Sequence, residues 1–161
     1  ILGDLICISS ELGVRYLLFN NDDFLVGFKL NNNLVQQENE LNVEVKKQMN
    51  EYFAGIRKKF DLPIDNQGSP FQQLVWEKLQ LLNYGETYTY GNLATALGDV
   101  KKIRAVANAN AQNKILILIP CHRIIGAGNK LTGYRGGLER KKWLLNFERE
   151  NFHPVIKSTL F

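Results

Sequence analysis

Residues 89–112 read TYGNLATALGDVKKIRAVANANAQ, and this stretch decides the kind of fold to expect. Helical patterns run from about Thr89 to Leu97 and from about Val100 to Gln112, with Gly98-Asp99 between them. Glycine can end one helix in a left-handed conformation, and aspartate can cap the next. Two short helices joined by a glycine-containing turn form the helix-turn-helix signature, although an ordinary helical hairpin shares the pattern. The second run, Ile103-Arg104-Ala105-Val106-Ala107-Asn108-Ala109-Asn110-Ala111, is dominated by small side chains. These let a backbone approach either a packed neighbour or a nucleic-acid groove into which Arg104 projects.

Working outward, Asn113-Lys114 leads into Ile115 to Ile119, short enough to be a buried strand or extended core segment, which delivers Pro120-Cys121-His122-Arg123. A glycine-rich loop, Gly126 to Gly137, precedes a last helix containing Leu138, Trp143, Leu144, Leu145, Phe147 and Glu148. Upstream, Ser69-Pro70-Phe71-Gln72 supplies a cap, a proline at the first helical position and a glutamine three after the cap. The helix it starts is predicted to turn Phe71, Leu74, Val75, Leu79 and Leu82 inward and to end near Asn83-Tyr84-Gly85. The polar stretch 66–69 marks a boundary, dividing the chain into 1–69 and 70–161. The first part reads as three antiparallel strands (Leu5 to Ser9, Val14 to Phe19, Phe24 to Leu30) and a polar loop from Asn31 to Asn39. A helix follows on Leu41, Val45, Met49, Tyr52 and Phe53, stopped by Gly55, then an edge segment from Phe60 to Ile64. The fold class is α+β, a small antiparallel sheet with a helix followed by a helical part.

At 161 residues, 45% hydrophobic and 22% charged, the chain fits one compact domain or two small subdomains sharing an interface, which excludes disordered and fibrous classes. Ile115 to Ile119 is the longest apolar run, far below the ~18 residues of a membrane span, so no membrane partner is expected. The opening ILGDLICISS lacks a basic n-region and Asp4 interrupts its apolar run, against a secretory signal. Small size and no targeting motif suggest a prokaryotic cytoplasm, with a nucleus open for a eukaryotic source. Residues 1–69 carry net charge −3 and residues 70–161 carry +7. A cationic second half points to a polyanion, most simply nucleic acid, although basic surfaces also serve solubility.

Four soft ligand residues exist, Cys7, Cys121, His122 and His153, without CxxC or HxxxH spacing, so no metal is expected. Two cysteines match reduced usage, and both read as thiols. Cys121 is flanked by His122 and Arg123; a thiol acts as its thiolate, favoured by cationic or hydrogen-bonding partners. In extended backbone His122 would face away from the sulfur and work through a water or a local turn, and Glu148 is a candidate carboxylate to hold its imidazole. By composition alone, Cys121 reads better as a buried core cysteine, since free cysteine is among the most buried residue types.

Ile119-Pro120-Cys121-His122-Arg123-Ile124-Ile125 resembles the active-site signature of the O6-alkylguanine-DNA alkyltransferases, the direct-reversal repair proteins. The similarity covers most of residues 70–149: Tyr88-Thr89-Tyr90-Gly91, Arg104-Ala105-Val106, Asn113 eight before the cysteine, Gly133-Tyr134-Arg135-Gly136-Gly137, and Trp143-Leu144-Leu145 followed by Glu148. Residues 1–69 match in outline only. The resemblance implies a ribonuclease H-like first part and a winged helix-turn-helix-like second part. It further implies that Cys121 accepts the alkyl group of a flipped-out O6-alkylguanine in one displacement and keeps it as a thioether, so each molecule acts once. O4-alkylthymine as a second substrate is left open. His122 would generate the thiolate through a bridging water, oriented by Glu148; Asn113 would hold the junction; Tyr90 would donate to the guanine ring as charge develops on it. Arg104 would replace the flipped base in the stack, on a minor-groove helix whose Ala105, Ala107, Ala109 and Ala111 permit close approach. Thr89 and Arg123 would add DNA contacts. Tyr134 would wall the base pocket, the Arg135 backbone N–H would face O6, and carbonyls near Cys121 and Ile124 would read the exocyclic amine. The implied partner is double-stranded DNA bound by a monomer, with no cofactor, and binding weakening as salt rises.

The sequence departs from the family at Ile103, where a small residue or proline is common, and at Lys114, where proline often follows the asparagine. Both concern fit to the groove rather than chemistry. The zinc ligands of some animal members and the four-cysteine sensor domain of the adaptive-response proteins have no counterpart here. Competing readings are an alkyltransferase-like damage-binding protein, which would lack the acceptor cysteine; a cysteine hydrolase using Cys121 and His122; and a plain helix-turn-helix regulator.

Overall fold

A hairpin opens the chain, with β1 (Leu5–Ser10) antiparallel to β2 (Gly13–Phe19) from Leu5 opposite Phe19 to Ser10 opposite Gly13. The computed structural model describes residues 2–31 and 38–152; most of the expected polar loop 31–39, and His153, fall outside them. Gly13 has φ +150, and a Cβ there would lie 2.5 Å from the Pro63 carbonyl oxygen. Only glycine lets β2 approach the 63–65 segment so closely. The bonds Val14 N to Pro63 O (2.8 Å) and Asp65 N to Val14 O (2.9 Å) then fix that segment beside the strand.

The third strand expected over Phe24 to Leu30 is instead a helix, α1 (Asp23–Asn31). Asp22 is the reason: its Oδ1 accepts from Phe24 N (3.0 Å) and Leu25 N (3.4 Å), an N-terminal helix cap within the polar 20–23 stretch. Phe24 and Phe28, four apart, then share one helix face against Tyr16, with ring centroids 5.1 and 5.2 Å from it. The hairpin is flanked by single parallel bridges, Val14 to Ile64 and Leu17 to Ile115.

α2 (Glu40–Phe53) begins at Asn39, whose side chain accepts from Asn42 N at 2.8 Å, and buries Val45, Gln48, Met49 and Tyr52. Gln48 pins the following segment by bonding both the carbonyl and the amide of Asp61. α3 (Pro70–Gln80) carries the predicted capping box between Ser69 and Gln72. Its inward face is Val75, Trp76 and Leu79; Leu74, expected inside, is 43% exposed, and the helix stops short of Asn83. Trp76 sets that rotation, because its indole donates to Ala109 O at 2.9 Å.

β3 (Tyr88–Thr89) runs into α4 (Tyr90–Ala96), capped by Thr89. Gly98 follows at φ +84, Asp99 accepts from Lys101 N at 2.9 Å, and a 3-10 turn over Val100–Lys102 opens α5 (Ile103–Ala111). The glycine stop and aspartate cap therefore stand where the sequence puts them. Residues 115–119 are buried but form a tight coil rather than a strand, with Ile117 in the left-handed region at φ 72. That conformation is strained for a β-branched residue, so it persists only because its surroundings determine it. A 3-10 turn at Cys121–Arg123 leads to β4 (Ile124–Ile125), parallel to β3, and α6 (Leu138–Glu150) closes the described chain. Among the described residues no helix is long and apolar enough to cross a membrane.

Candidate functional site

Pro120 ends the coil and starts the 3-10 turn, so Cys121 and His122 project into the interior instead of along an extended strand. Asn113 ties the coil together. Its Oδ1 accepts from Ile115 N (2.9 Å), and its Nδ2 donates to Ile119 O (2.9 Å) and reaches Cys121 Sγ at 3.0 Å. One buried amide thus holds the strained segment and touches the sulfur. Cys121 is 2% exposed, and burial pushes its thiol up to about 11 against the opposing pull of Asn113, Lys141 and Arg135. At rest the sulfur is a neutral thiol, and thiolate must be generated by a base.

His122, fully buried, places Nε2 2.8 Å from Glu148 Oε1. An ionised carboxylate can only accept, so the ring proton sits on Nε2 and Nδ1 carries the lone pair. Nδ1 is buried and has no hydrogen-bond partner among the described residues. Burial, helped by the charges of Arg123 and Lys141, lowers the imidazole's proton affinity against the pull of Glu148, which favours a neutral ring able to accept a proton.

Glu148 receives five hydrogen bonds. Oε1 accepts from Tyr52 Oη (2.7 Å), His122 Nε2 (2.8 Å) and Arg123 Nη2 (3.0 Å); Oε2 accepts from Arg123 Nε (2.9 Å) and Gly85 N (3.1 Å). Burial alone would raise this carboxyl, but His122 and Arg123 hold it well below the usual carboxylate range. Arg123, expected at the DNA surface, is therefore corrected to an interior position: it is buried, paired with Glu148, and donates to Leu82 O at 2.7 Å. A guanidinium fork matches a carboxylate's two oxygens, and Glu148 is the acceptor within reach.

Sequence reasoning missed Tyr52, which looked like one more apolar position on α2, and Lys141, whose basic neighbours resemble a solvated face. Lys141 is fully buried and donates to three carbonyls, Ile124 (2.5 Å), Thr132 (2.5 Å) and Gly133 (3.1 Å), clasping the glycine-rich loop to β4. Burial lowers its pKa to about 8. The signal was available in spacing alone: Lys141, Leu144 and Glu148 share the buried face of α6.

Around this centre, Tyr134 stands edge-on to His122 with ring centroids 6.4 Å apart and its hydroxyl buried. Arg135 pairs its side chain with Asp22 through two bonds of 2.9 and 3.1 Å. The Ile124 carbonyl already accepts from Lys141, and the Cys121 carbonyl from Ile124 N, which leaves each one further lone pair. Tyr90 is half-buried at the start of α4. Thr89 caps that helix and spends its hydroxyl on Asn92. On α5, Arg104, Ala105, Asn108 and Ala111 are exposed and Ala107 half-exposed, whereas Ala109 is buried under Trp76, so ordinary packing explains that alanine. No group of three or more His, Cys, Asp or Glu that could hold a metal exists among the described residues.

The lowered proton affinities of His122 and Glu148 make stability pH-dependent with one sign. In the unfolded chain His122 and Glu148 would titrate near 6.5 and 4.5; in the fold both hold their protons less tightly. The unfolded state therefore binds more protons on acidification, so stability present above about 6.5 is lost as pH falls, first through His122 and then through Glu148. Urea midpoints measured from pH 7.5 to 4 should decline from about pH 6.5 downward, and His122→Gln should remove the upper part of that decline. A midpoint constant from pH 7 to 5 would contradict the assignment.

Residues 1–66 match the family described as 6-O-methylguanine DNA methyltransferase, ribonuclease-like domain, and residues 70–150 match 6-O-methylguanine DNA methyltransferase, DNA binding domain. The chain is 41% identical over 152 residues to the constitutive methylated-DNA–protein-cysteine methyltransferase of Bacillus subtilis, covering 94% of this chain and 92% of that one. It is 50% identical over 114 residues to the Mycolicibacterium paratuberculosis protein of the same name, covering 71% and 68%. In structure it is similar to Mycobacterium tuberculosis OGT in complex with DNA, with TM-score 0.80, 35% identity, and coverage of 93% of this chain and 89% of that one.

Proposed function

The chain belongs to the methylated-DNA–protein-cysteine methyltransferases, DNA repair proteins that move the alkyl group of O6-alkylguanine irreversibly onto one of their own cysteines, and from that premise we propose that Cys121 is the acceptor. The observation that carries this reading is one connected set: a thiol held by Asn113, beside an imidazole whose free Nδ1 lone pair is oriented through Nε2 by Glu148. A water between Sγ and Nδ1 relays the thiol proton to His122. The thiolate attacks the alkyl carbon from the side opposite O6, the C–S bond forms as the C–O bond breaks, and the electron pair leaves on guanine. Tyr90 donates a hydrogen bond to the ring as that charge develops. The product is an S-alkylcysteine; a thioether is not hydrolysed, so the protein is used once.

Tyr134 walls the base pocket, the Arg135 N–H faces O6, and the free lone pairs of the Cys121 and Ile124 carbonyls receive the exocyclic amine. The target atom lies inside a duplex, so the nucleotide is flipped out. The exposed face of α5 enters the minor groove of double-stranded DNA as a monomer's reading helix, with Ala105 and Ala107 against the sugar edges, Arg104 in the vacated stack and Thr89 near the backbone. Residues 70–161 form this DNA-binding and acceptor part, and residues 1–69 pack behind it. An acceptor thiol needs a reducing compartment, which suits the cytoplasm.

Intact mass after incubation with excess duplex carrying one O6-methylguanine tests the reading. A gain of about 14 Da, one methyl replacing one proton, confined to the Cys121 peptide and saturating at one equivalent, is the expected result. Tight binding without a gain would mean a damage-recognition protein, and neither binding nor gain would overturn the DNA assignment as well.

Arg104→Ala should repair duplex at least ~10-fold more slowly, because unstacking a base costs a few kcal/mol that the inserted guanidinium offsets. Its reaction with free O6-benzylguanine, which needs no flipping, should match the wild type. Equal duplex rates for the two proteins would remove Arg104 from this role.

A further inference from the structure

Tyr52 lies on α2, in the part of the chain with no acceptor chemistry of its own, yet its side chain ends at the active-site carboxylate. It is fully buried, and its ring is packed on several sides, with Phe53, Phe60, Phe147 and Tyr84 centroids 5.1, 5.4, 5.6 and 5.9 Å away. A phenylalanine would fill that place as well. What tyrosine adds is a hydroxyl bonded at 2.7 Å to Glu148 Oε1, the same oxygen that lies 2.8 Å from His122 Nε2.

We propose that Tyr52 is a positioning residue for alkyl transfer: its hydroxyl shares Glu148 Oε1 with His122, limits the negative charge that oxygen offers the imidazole, and thereby sets the proton affinity of Nδ1. The inference rests on His122 being the base of the proposed reaction. The charge balance around the ring makes the sharing consequential. Arg123, from the same turn as His122, already neutralises Glu148 from α6 through both oxygens. Lys141, also on α6, adds positive charge nearby, while Tyr134 from the glycine-rich loop stays uncharged; Tyr84, beyond Arg123, faces Tyr52 and Glu148. With the Arg123 cation and the Gly85 amide already on the carboxylate besides His122, the Tyr52 hydroxyl is a neutral competitor for the oxygen that holds the ring. Removing it returns electron density to Oε1 and makes His122 a stronger base. Burial holds the phenol in its protonated, donating form.

The test is the titration of His122 followed by NMR of its ring protons. It uses the Cys121→Ser protein with and without Tyr52→Phe; His153 is the one other histidine in the chain. The midpoint should rise by ~0.5 pH unit or more when the hydroxyl is removed. Site-specific fluorotyrosine at position 52, a stronger donor of the same shape, should move it down. In the protein with its cysteine intact, the acid limb of the rate with free O6-benzylguanine should shift the same way as the NMR midpoint. A purely structural tyrosine would lower the melting temperature and leave the midpoint in place; an unmoved midpoint in both variants overturns the proposal. If the midpoint moves while the transfer rate shows no acid limb at all, Tyr52 does control His122, and it is the role of His122 as base that fails.

Discussion

Cys121→Ala protein mixed with duplex carrying O6-methylguanine is expected to gain no mass at any time or concentration, while binding that duplex with wild-type affinity. The two halves of this expectation rest on different parts of the molecule. Transfer needs the sulfur, and nothing nearby substitutes for it. The second cysteine, Cys7, sits in β1, is bonded to Asn42 rather than to the Asn113 cluster, and is pushed up to about 11 by burial, with no base acting on it among the described residues. Binding, in the proposed reading, uses the exposed face of α5, and Cys121 is buried. Removing one sulfur from the core should cost about 1 kcal/mol, too little to unfold the protein. Cys121→Ser is the sharper control, because it keeps the shape and a hydrogen-bonding atom for Asn113 but offers a hydroxyl, a far weaker nucleophile at neutral pH. It too should show no gain. Mass addition at Cys7 in either variant would move the acceptor assignment elsewhere.

The parts of this fold that were legible in the sequence are those decided within a few residues. Ser69-Pro70-Phe71-Gln72 starts α3, and Gly98-Asp99 separates α4 from α5, because capping and left-handed turns are local chemistry. The failures are of two kinds, local competitions between alternative uses of one polar side chain and partners that are distant along the chain. Asp22 looked like turn material, and only its bonds to Phe24 and Leu25 reveal a helix cap. Ile115 to Ile119 has strand composition, yet Asn113 bonds both ends and coils it. Arg123 carries a surface residue's charge, but Glu148, 25 positions away, draws it inside. Cys121, His122 and Glu148 could be nominated from their chemistry and Asn113 from the resemblance to the family, and the structure brings them together. Tyr52 could not, since nothing local distinguishes a tyrosine whose hydroxyl meets a carboxylate 96 residues later from one that fills a core.

Glu148→Ala carries the other large expectation, a loss of stability together with a loss of transfer. The substitution strips the acceptor from Tyr52, His122, Arg123 and the Gly85 amide at once, and leaves the Arg123 guanidinium buried without its counter-charge. Breaking a buried ion pair from one side costs about 3–5 kcal/mol, against which the fold has no compensating solvent to offer. For a chain of this size that corresponds to a melting temperature lower by roughly 6–20 °C. Transfer at a temperature where the variant is still folded should fall by about 100-fold or more, since His122 loses both its orientation and the tautomer that exposes Nδ1. Glu148→Gln should fare little better, because five donors converge on two oxygens and an amide replaces one of them with a further donor. The two losses separate in a double variant. Adding Arg123→Met to Glu148→Ala removes the orphaned charge and should recover much of the stability, as apolar replacements of buried ion pairs commonly do, while leaving transfer as slow as before. Recovery of both would mean that Glu148 acts on the chemistry only by keeping the protein folded; recovery of stability alone places the carboxylate in the proton path through His122.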